Sequence, residues 1–514
     1  MKQLNALLAS CEYEVLREGK CQEVSGIIYD SRQVKDGSLF VCIVGAVSDG
    51  HSYAAQAIAK GATCLVVSRD ITGELEESIG QSFGESKLLL TAEKLASTRI
   101  LLVEDPRMTL AKLSAAWFDH PAEKLKVIGI TGTKGKTTTT YLVRSILEEA
   151  GHKVGLIGTI EIIIGDTHIP AEHTTPESYL VQEYFSRMVE EGCDTVVMEV
   201  SSQALMLHRT AGFLFDYGIF TNLSPDHIGP AEHKDFDDYL HCKSLLFKQC
   251  KVGIVNGDDP HWQEVTKEHT CSIETYGFAA DADYRAEDLK LTEGSGFLGI
   301  AFRASGKVSL DLELHAPGRF SVYNALCALA ICHHFGVSTE NMKTAIAAAK
   351  VKGRIEMIHV SDDFTLMIDY AHNAMSLQSL LETLKEYHPA RLVCLFGCGG
   401  NRSRARRFEM GEVSGNLADL TVITSDNPRN EEPQAIIDDI KTGIAKTSGK
   451  YVEIPDRKEA IAYVIHNGQK GDLIVLAGKG HEDYQEIRGK KYPMDERVII
   501  QEILDEDRKR GGQA

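Results

Sequence analysis

The sequence predicts an α/β protein of three domains, each a mostly parallel sheet covered by helices. Three observations carry that prediction. Short β-rich runs alternate with helix-like stretches along nearly the whole chain, and the later runs end in glycine-rich or polar loops. At 514 residues the chain holds two to four domains of roughly 100–200 residues each.

The first block carries runs at 26–32, 38–45, 62–68, 87–93 and 100–105, with a helix-like stretch at 52–61. The segment after them looks like a strand end, a turn and a connecting helix, so the first boundary is placed near Asp105. The second block opens at 126–151 with a strand, a glycine cluster and a helix whose apolar residues include Tyr141, Leu142, Ile146 and Leu147. It closes on a helix over 341–354 with Gly353 as its stop, and the third block repeats the alternation at 365–373, 391–400, 420–429 and 473–481. The resulting domains are 1–105, 106–349 and 350–514. Open parallel sheets bind ligands beyond the carboxyl ends of their strands, so the loops there are where chemistry is expected.

Composition narrows the class. Hydrophobic residues make up 43% and charged residues 25%, which excludes a disordered chain. A net charge of -19 repels polyanions and argues against nucleic acid as the main partner. Twelve cysteines, scattered from Cys11 to Cys398 without a C-x-x-C pair, suit a reducing cytoplasm. No apolar run approaches the roughly 18 residues that span a bilayer. "LLASC", Leu7 to Cys11, resembles a lipoprotein cleavage box, but six residues before it are too few for a signal. An amphipathic first helix is the reading preferred there.

"GITGTKGKTTTT", Gly129 to Thr140, places Gly132, Gly135 and Lys136 between a strand and a helix. Backbone N–H groups and the helix N-terminus then meet a polyphosphate, Lys136 neutralises its charge and Thr137 offers a hydroxyl to Mg2+. Ile130 stands where the commonest phosphate loop has its first glycine. Further on, Glu199 ends an apolar strand; Asn222, Asp226 and His227 share one loop; Lys243 follows on a helix.

The form G-T-x-G-K-T-T resembles that of the Mur ligases and their folylpolyglutamate synthetase relatives, and the resemblance extends over essentially the whole chain. It implies a small N-terminal uridine-binding domain, a central P-loop ATPase-like parallel sheet and a C-terminal Rossmann-like domain. The implied reaction is ATP-driven amide formation through an acyl phosphate in cytoplasmic peptidoglycan precursor synthesis, with Mg2+ as cofactor. ATP contacts are implied for Gly132, Thr133, Lys134, Gly135, Lys136, Thr137, Thr138, Asn324, Arg354 and Asp369, and His372 is implied near the reacting groups. Metal contacts are implied for Thr137, Glu199, His227 and Lys243, the last as a carbamate, which turns a repelling ammonium into oxygen ligands.

The same resemblance separates the subfamilies. Ser31 and the loop Ala46, Val47 and Ser48 match uridine-binding positions. "HTTPES", with Thr174 and Thr175, resembles the members that add the third peptide residue, and Ser201 and Arg209 join it on the muramoyl dipeptide; alone, it reads as a helix start at Thr175 and Pro176. Asp426, Asn427, Pro428 and Arg429 match the D-N-P-R motif of members adding meso-diaminopimelate, where an arginine fork suits a second carboxylate. Arg402, Gly478 and Glu482 complete that set. Asn401 and Ser403 replace usual acidic residues, Phe408 and Ala374 replace prolines, and Ser321 replaces an Asn. The expected partners are UDP-N-acetylmuramoyl-L-alanyl-D-glutamate, meso-diaminopimelate and ATP, without nucleic acid or membrane insertion. L-lysine as acceptor and a catalytically silent nucleotide-binding scaffold are the alternatives, while a uridine-binding first domain argues against a folylpolyglutamate synthetase.

Overall fold

The computed structural model describes residues 1–511 except 46, 47, 85, 86, 227, 230, 231 and 295. The chain forms two compact units, Met1–Asp283 with Ala330–Val337, and Tyr284–Leu329 with Ser338–Ala514.

The first unit holds two large sheets. The N-terminal sheet runs Glu14–Arg17, Arg99–Leu102, Cys64–Val67, Ser38–Val41, Gly26–Ile28, parallel except where the first two strands meet. Its inner strands are buried on both faces: Phe40, Leu65 and Val67 pack under the helix Ala54–Lys60, while Leu39, Val41 and Val66 face Leu4, Leu7 and Leu110. This two-residue alternation is the strand period read as two cores. The first helix is present but short, Leu4–Leu7, and is held by buried Leu4, Leu7 and Leu8. The run at 87–93 does not join this sheet. Leu88 and Leu89 are exposed and form a two-residue hairpin with Ser82–Phe83, because only Leu90 of that run reaches the core. The antiparallel strand Glu14–Arg17 had no comparable signal in the sequence.

The central sheet of this unit has six parallel strands in the order Val154–Ile157, Thr195–Glu199, Lys126–Thr131, Phe215–Phe220, Cys250–Asn256, Ser272–Gly277. Antiparallel strands Glu161–Ile164 and Thr167–Pro170 extend it at one edge. The register sets Ile130 beside both Glu199 and Ile219, so three strand ends emerge together. The helix Lys136–Glu149 closes over this sheet with Leu142, Val143, Ile146 and Leu147 buried.

In the second unit, Tyr284–Gly294, Phe297–Gly306 and Leu310–Leu314 pair antiparallel. A six-stranded sheet follows, ordered Glu356–Ile358, Thr365–Asp369, Asp472–Ala477, Arg391–Phe396, Leu420–Ile423, Tyr451–Glu453, parallel after the first pair. Its four inner strands coincide with the four runs read in the third block, and the edge strands Glu356–Ile358 and Tyr451–Glu453 were not among those runs. Gly353 is not the helix stop expected there, since the helix is Thr339–Ala348. The glycine has a different cause: its φ is +68°, and a Cβ would stand 2.0 Å from the His481 nitrogen, so only glycine lets the two backbones pass.

Beneath the strand ends of this sheet lies a buried ion pair. Arg457 donates from Nε to Glu496 Oε1 at 2.8 Å, from Nη2 to the Ala477 carbonyl at 3.0 Å and from Nη1 to the Ser425 carbonyl at 3.3 Å. One guanidinium therefore ties the last residue of one strand to the loop that leaves another. Arg457→Leu leaves the Glu496 carboxylate buried without a cation and is expected to cost about 3–5 kcal/mol. Urea denaturation measures it, and a loss within the error of the transition contradicts the assignment.

Candidate active site

The phosphate loop leaves its strand at Gly132, φ +144°, and enters the helix through Gly135, φ +86°. A Cβ on Gly132 would lie 1.9 Å from Thr221 Oγ1, so the loop presses against the end of the neighbouring strand. Hydrogen bonds fasten it there. Thr133 N–H donates to the Asn222 carbonyl (2.9 Å) and Lys134 N–H to Asn222 Oδ1 (2.9 Å), while Asn222 Nδ2 and Thr221 Oγ1 return bonds to the Lys134 carbonyl (3.0 and 2.7 Å). Lys134 Nζ stands 3.7 Å from Asp226. Lys136 Nζ folds back on the Gly132 and Thr133 carbonyls at 2.8 and 3.1 Å. Thr137 and Thr138 occupy the first helical turn, and Thr137 is buried.

Lys243, on the helix Phe236–Ser244, is buried and donates to the same Gly132 carbonyl at 3.0 Å. Its Nζ also lies over the Tyr239 ring, 4.5 Å from the centroid, and the Tyr239 hydroxyl meets Thr133 Oγ1 at 3.1 Å. Burial, and secondarily the charge of Lys136, holds the Lys243 ammonium well below the ordinary lysine range. His227 lies outside the described residues, as do Ala46 and Val47.

Glu199 is buried at its strand end, and Val200 N–H bonds the Ile130 carbonyl at 2.8 Å. Its carboxylate accepts from Thr159 N–H at 2.8 Å and Thr159 Oγ1 at 3.0 Å, and that hydroxyl meets Thr174 Oγ1 at 3.1 Å. Thr175 Oγ1 donates to the Glu199 carbonyl at 2.9 Å and accepts from Ser201 N–H at 3.0 Å. Arg209 Nη1 donates to the Thr175 carbonyl at 3.2 Å. Phosphate loop, Glu199, Lys243, Thr174, Thr175, Ser201 and Arg209 therefore form one connected cluster at the sheet's carboxyl edge. The helix expected to begin at Thr175 and Pro176 begins instead at Ser178 with Glu177 as its cap, because the Thr175 hydroxyl is spent on the Glu199 loop. Thr159, which orients Glu199, gave no motif signal.

Ser31 and Ser48 stand on loops of the N-terminal sheet. The Ser31 carbonyl accepts from Lys60 Nζ at 2.8 Å, and the Ser48 carbonyl accepts from Gly45 N–H at 2.9 Å.

The second unit gathers the remaining candidates. Asn324 is buried on the helix Arg319–His333. Asp369 accepts from Ile355 N–H at 2.9 Å and Ala371 N–H at 2.8 Å. Arg354 stacks on the Tyr370 ring at 4.6 Å, and the rings of His372 and His481 flank that tyrosine at 4.6 and 4.7 Å. His481 is pushed down to about 3 by burial first and then by Arg354 and neighbouring cations, so it stays neutral.

Three glycine-rich strand ends interlock beside them. Asn427 Nδ2 donates to Glu482 Oε2 at 2.8 Å, and Gly400 N–H to the Asn427 carbonyl at 2.9 Å. Asp426 and Asn427 are buried, and Gly478 approaches Asp426 with φ +106°. A Cβ on Gly399 would lie 2.9 Å from Arg429 Nη1 and 3.8 Å from Arg402 Cγ, which puts both arginines on one glycine. Arg402 is exposed and has no ion pair among the described residues, and Pro428 stands between Asn427 and Arg429 in the loop after Leu420–Ile423. Asn401 adopts φ +54°, a left-handed conformation that asparagine tolerates well. Sequence reasoning missed Lys479. Fully buried, it donates to Asn427 Oδ1 at 3.0 Å, Glu482 Oε2 at 2.8 Å and the Tyr484 carbonyl. A lysine in a glycine-rich turn reads as solvated until the loops around it are seen.

Comparison with known proteins follows this geometry. Three family models match in succession: "Mur ligase family, catalytic domain" over residues 23–117, "Mur ligase middle domain" over 130–332 and "Mur ligase, glutamate ligase domain" over 353–480. The chain is 42% identical to the UDP-N-acetylmuramoyl-L-alanyl-D-glutamate--2,6-diaminopimelate ligase of Caldanaerobacter subterraneus subsp. tengcongensis, across 95% of this chain and 96% of that one. It is 40% identical to ligase 1 of the same name from Clostridium acetobutylicum, across 98% and 99%. A solved structure of a protein with that ligase name superposes with a TM-score of 0.69 at 27% identity, covering 99% of each chain. MurF ligase from Thermotoga maritima in complex with ADP shares the fold, with a TM-score of 0.55 at 18% identity over 93% and 96% of the two chains.

The lowered Lys243 ammonium has a signed consequence. The folded state disfavours its proton while the unfolded state keeps it up to about pH 10.4, so stability of the unmodified chain rises as pH rises through that interval. Lys243→Met removes the cost. It is expected to stabilise the fold near neutral pH, with the gain shrinking toward pH 10. Urea titrations at both pH values in bicarbonate-free buffer check this, and a gain that grows with pH counts against it.

Proposed function

The chain belongs to the Mur ligase family, and on that premise we propose that it joins meso-2,6-diaminopimelate to UDP-N-acetylmuramoyl-L-alanyl-D-glutamate in an ATP-driven amide ligation in the cytoplasm. The D-glutamyl carboxylate takes the γ-phosphoryl group of ATP and becomes an acyl phosphate. The acceptor amine attacks the acyl carbon, and phosphate leaves.

The phosphate loop supplies backbone N–H groups and the helix N-terminus to the polyphosphate. Lys136, now bonded to the loop's own carbonyls, turns to the β- and γ-phosphate oxygens when these offer a stronger, charged acceptor. The donor set fits a hard divalent cation: Glu199 presents a buried carboxylate and Thr137 a hydroxyl at the helix start. These two groups would hold Mg2+, which would supply neutralisation of the phosphate charge. Lys243 fits as a carbamate. Its depressed ammonium leaves a neutral amine able to take up carbon dioxide, and loss of one N–H proton to solvent would leave an anionic carbamate whose oxygens are donors beside Lys136. Thr174, Thr175, Ser201 and Arg209 hold the muramoyl dipeptide so that its terminal carboxylate lies at the phosphate end. Ser31 and the loop 46–48 take the uridine moiety. Asn324, Arg354, Asp369 and His372 serve the nucleotide and the reacting groups.

One observation carries the acceptor: Arg402 and Arg429 flank Gly399, and the Arg429 loop is bonded both to the Arg402 loop and to the one that presents Glu482. A diamino dicarboxylic acid matches two guanidinium groups and a carboxylate. L-lysine has no distal carboxylate and offers the second arginine no anionic group. Glu482 Oε2 is already taken by Asn427 and Lys479, whereas among the described residues Oε1 has only the Tyr370 hydroxyl at 3.4 Å and remains for an ammonium.

ADP release with the uridine-linked dipeptide present is expected to depend on meso-diaminopimelate and to be far slower with L-lysine; the reverse preference would falsify the acceptor. Lys243→Ala is expected to abolish turnover, with partial recovery in short carboxylates, and an undiminished rate in that variant contradicts the carbamate. The lost group stabilises transferring charge, which is worth about 100-fold or more in kcat.

A further inference from the structure

We propose that Glu486 is a specificity-determining residue that aims the Arg429 guanidinium at the distal carboxylate of the acceptor, a reading that rests on the acceptor proposed above. Glu486 lies on a hairpin, Tyr484–Ile487 paired with Lys490–Pro493, immediately after the loop that carries Glu482.

The hairpin is fastened to the D-N-P-R loop along its length. Gln485 Nε2 donates to the Asp426 carbonyl at 2.7 Å, and Glu486 N–H to Asn427 Oδ1 at 2.8 Å. Arg429 N–H donates to the Glu486 carbonyl at 3.0 Å, and Arg488 N–H to the Arg429 carbonyl at 2.7 Å. These last two bonds hold Arg429 at φ +51°, a left-handed conformation that an arginine does not keep without support.

The side chain is held as well. Arg429 Nε donates to Glu486 Oε2 at 3.1 Å and Nη1 to the Gly400 carbonyl at 2.8 Å. A guanidinium has five N–H groups in a fixed plane. With one fixed from Nε and one from Nη1, the plane cannot rotate, and the remaining N–H groups on Nη1 and Nη2 face a ligand in a set orientation. Opposed to this is neutralisation, since Glu486 cancels part of the charge that attracts a carboxylate. Both side chains keep about a quarter of their surface in solvent (23% and 28%), so that cancellation is screened. Orientation is what a bidentate carboxylate contact requires, and it wins here.

The test compares wild type, Glu486→Ala and Glu486→Gln by steady-state kinetics, varying meso-diaminopimelate, ATP and the uridine-linked dipeptide in turn. Glu486→Ala is expected to raise KM for diaminopimelate roughly tenfold, the worth of one charge-assisted hydrogen bond. KM for the other two substrates should hold, and the preference for diaminopimelate over L-lysine should fall by a similar factor. Glu486→Gln, whose amide oxygen still accepts from Nε, should recover most of the loss. An unchanged or lower KM for diaminopimelate in Glu486→Ala, or an equal rise for all three substrates, overturns the proposal. Failure of the acceptor reading itself is seen separately, in the wild-type arm, as a preference for L-lysine.

Discussion

Gly132 has no room for a side chain, and much of the first unit's site follows from that contact. The phosphate loop lies against Thr221 and Asn222 closely enough that a Cβ would collide with the threonine hydroxyl. In exchange, the side chains of Thr221 and Asn222 bind the loop's own peptide groups. The loop is thus shaped by the adjacent strand rather than by its own turn preferences. The Gly132 carbonyl, turned inward by this arrangement, is the acceptor shared by Lys136 and Lys243. Two lysines converge on one oxygen, and burial first and then the charge of the other make the more buried of them hold its proton less tightly.

The parallel sheet accounts for the rest of that cluster. Because neighbouring parallel strands end on the same side, a register that sets Ile130 beside Glu199 brings a carboxylate next to the phosphate loop without any special loop. Thr159, emerging from the next strand, supplies both bonds that orient the carboxylate. Thr174 meets the Thr159 hydroxyl on one side of it, and the Thr175 hydroxyl joins the Glu199 carbonyl to the Ser201 N–H on the other. The second unit uses the same principle with different chemistry. Its strand ends carry Asp426 to Arg429, Gly399 to Arg402 and Gly478 to Glu482, and a buried lysine, Lys479, draws two of these loops together.

Much of this was legible in the sequence. Strand and helix alternation predicts the α/β class, the glycine spacing predicts the phosphate loop, and the apolar run before Glu199 puts that residue at a strand end. The readings that differed share a cause. The run at 87–93 has the apolar content of a strand but too little of it reaches the core, and Gly353 looked like a helix stop because its true neighbour, His481, lies more than a hundred residues away. Likewise Thr159, Lys479 and Glu486 carry no local pattern, since their partners are on other strands.

By itself, then, the sequence determined the fold class, the phosphate loop and the residue types that a Mur ligase brings to its loops, because those depend on local periodicity and short spacing. Only the tertiary structure decided which groups are paired and which remain for a ligand. It showed Arg429 held by Glu486 and Gly400, Glu482 half occupied by Lys479 and Asn427, and Lys243 dry beneath the phosphate loop. Those facts depend on burial and on hydrogen bonds between distant segments, which exist only once the strands have been brought side by side.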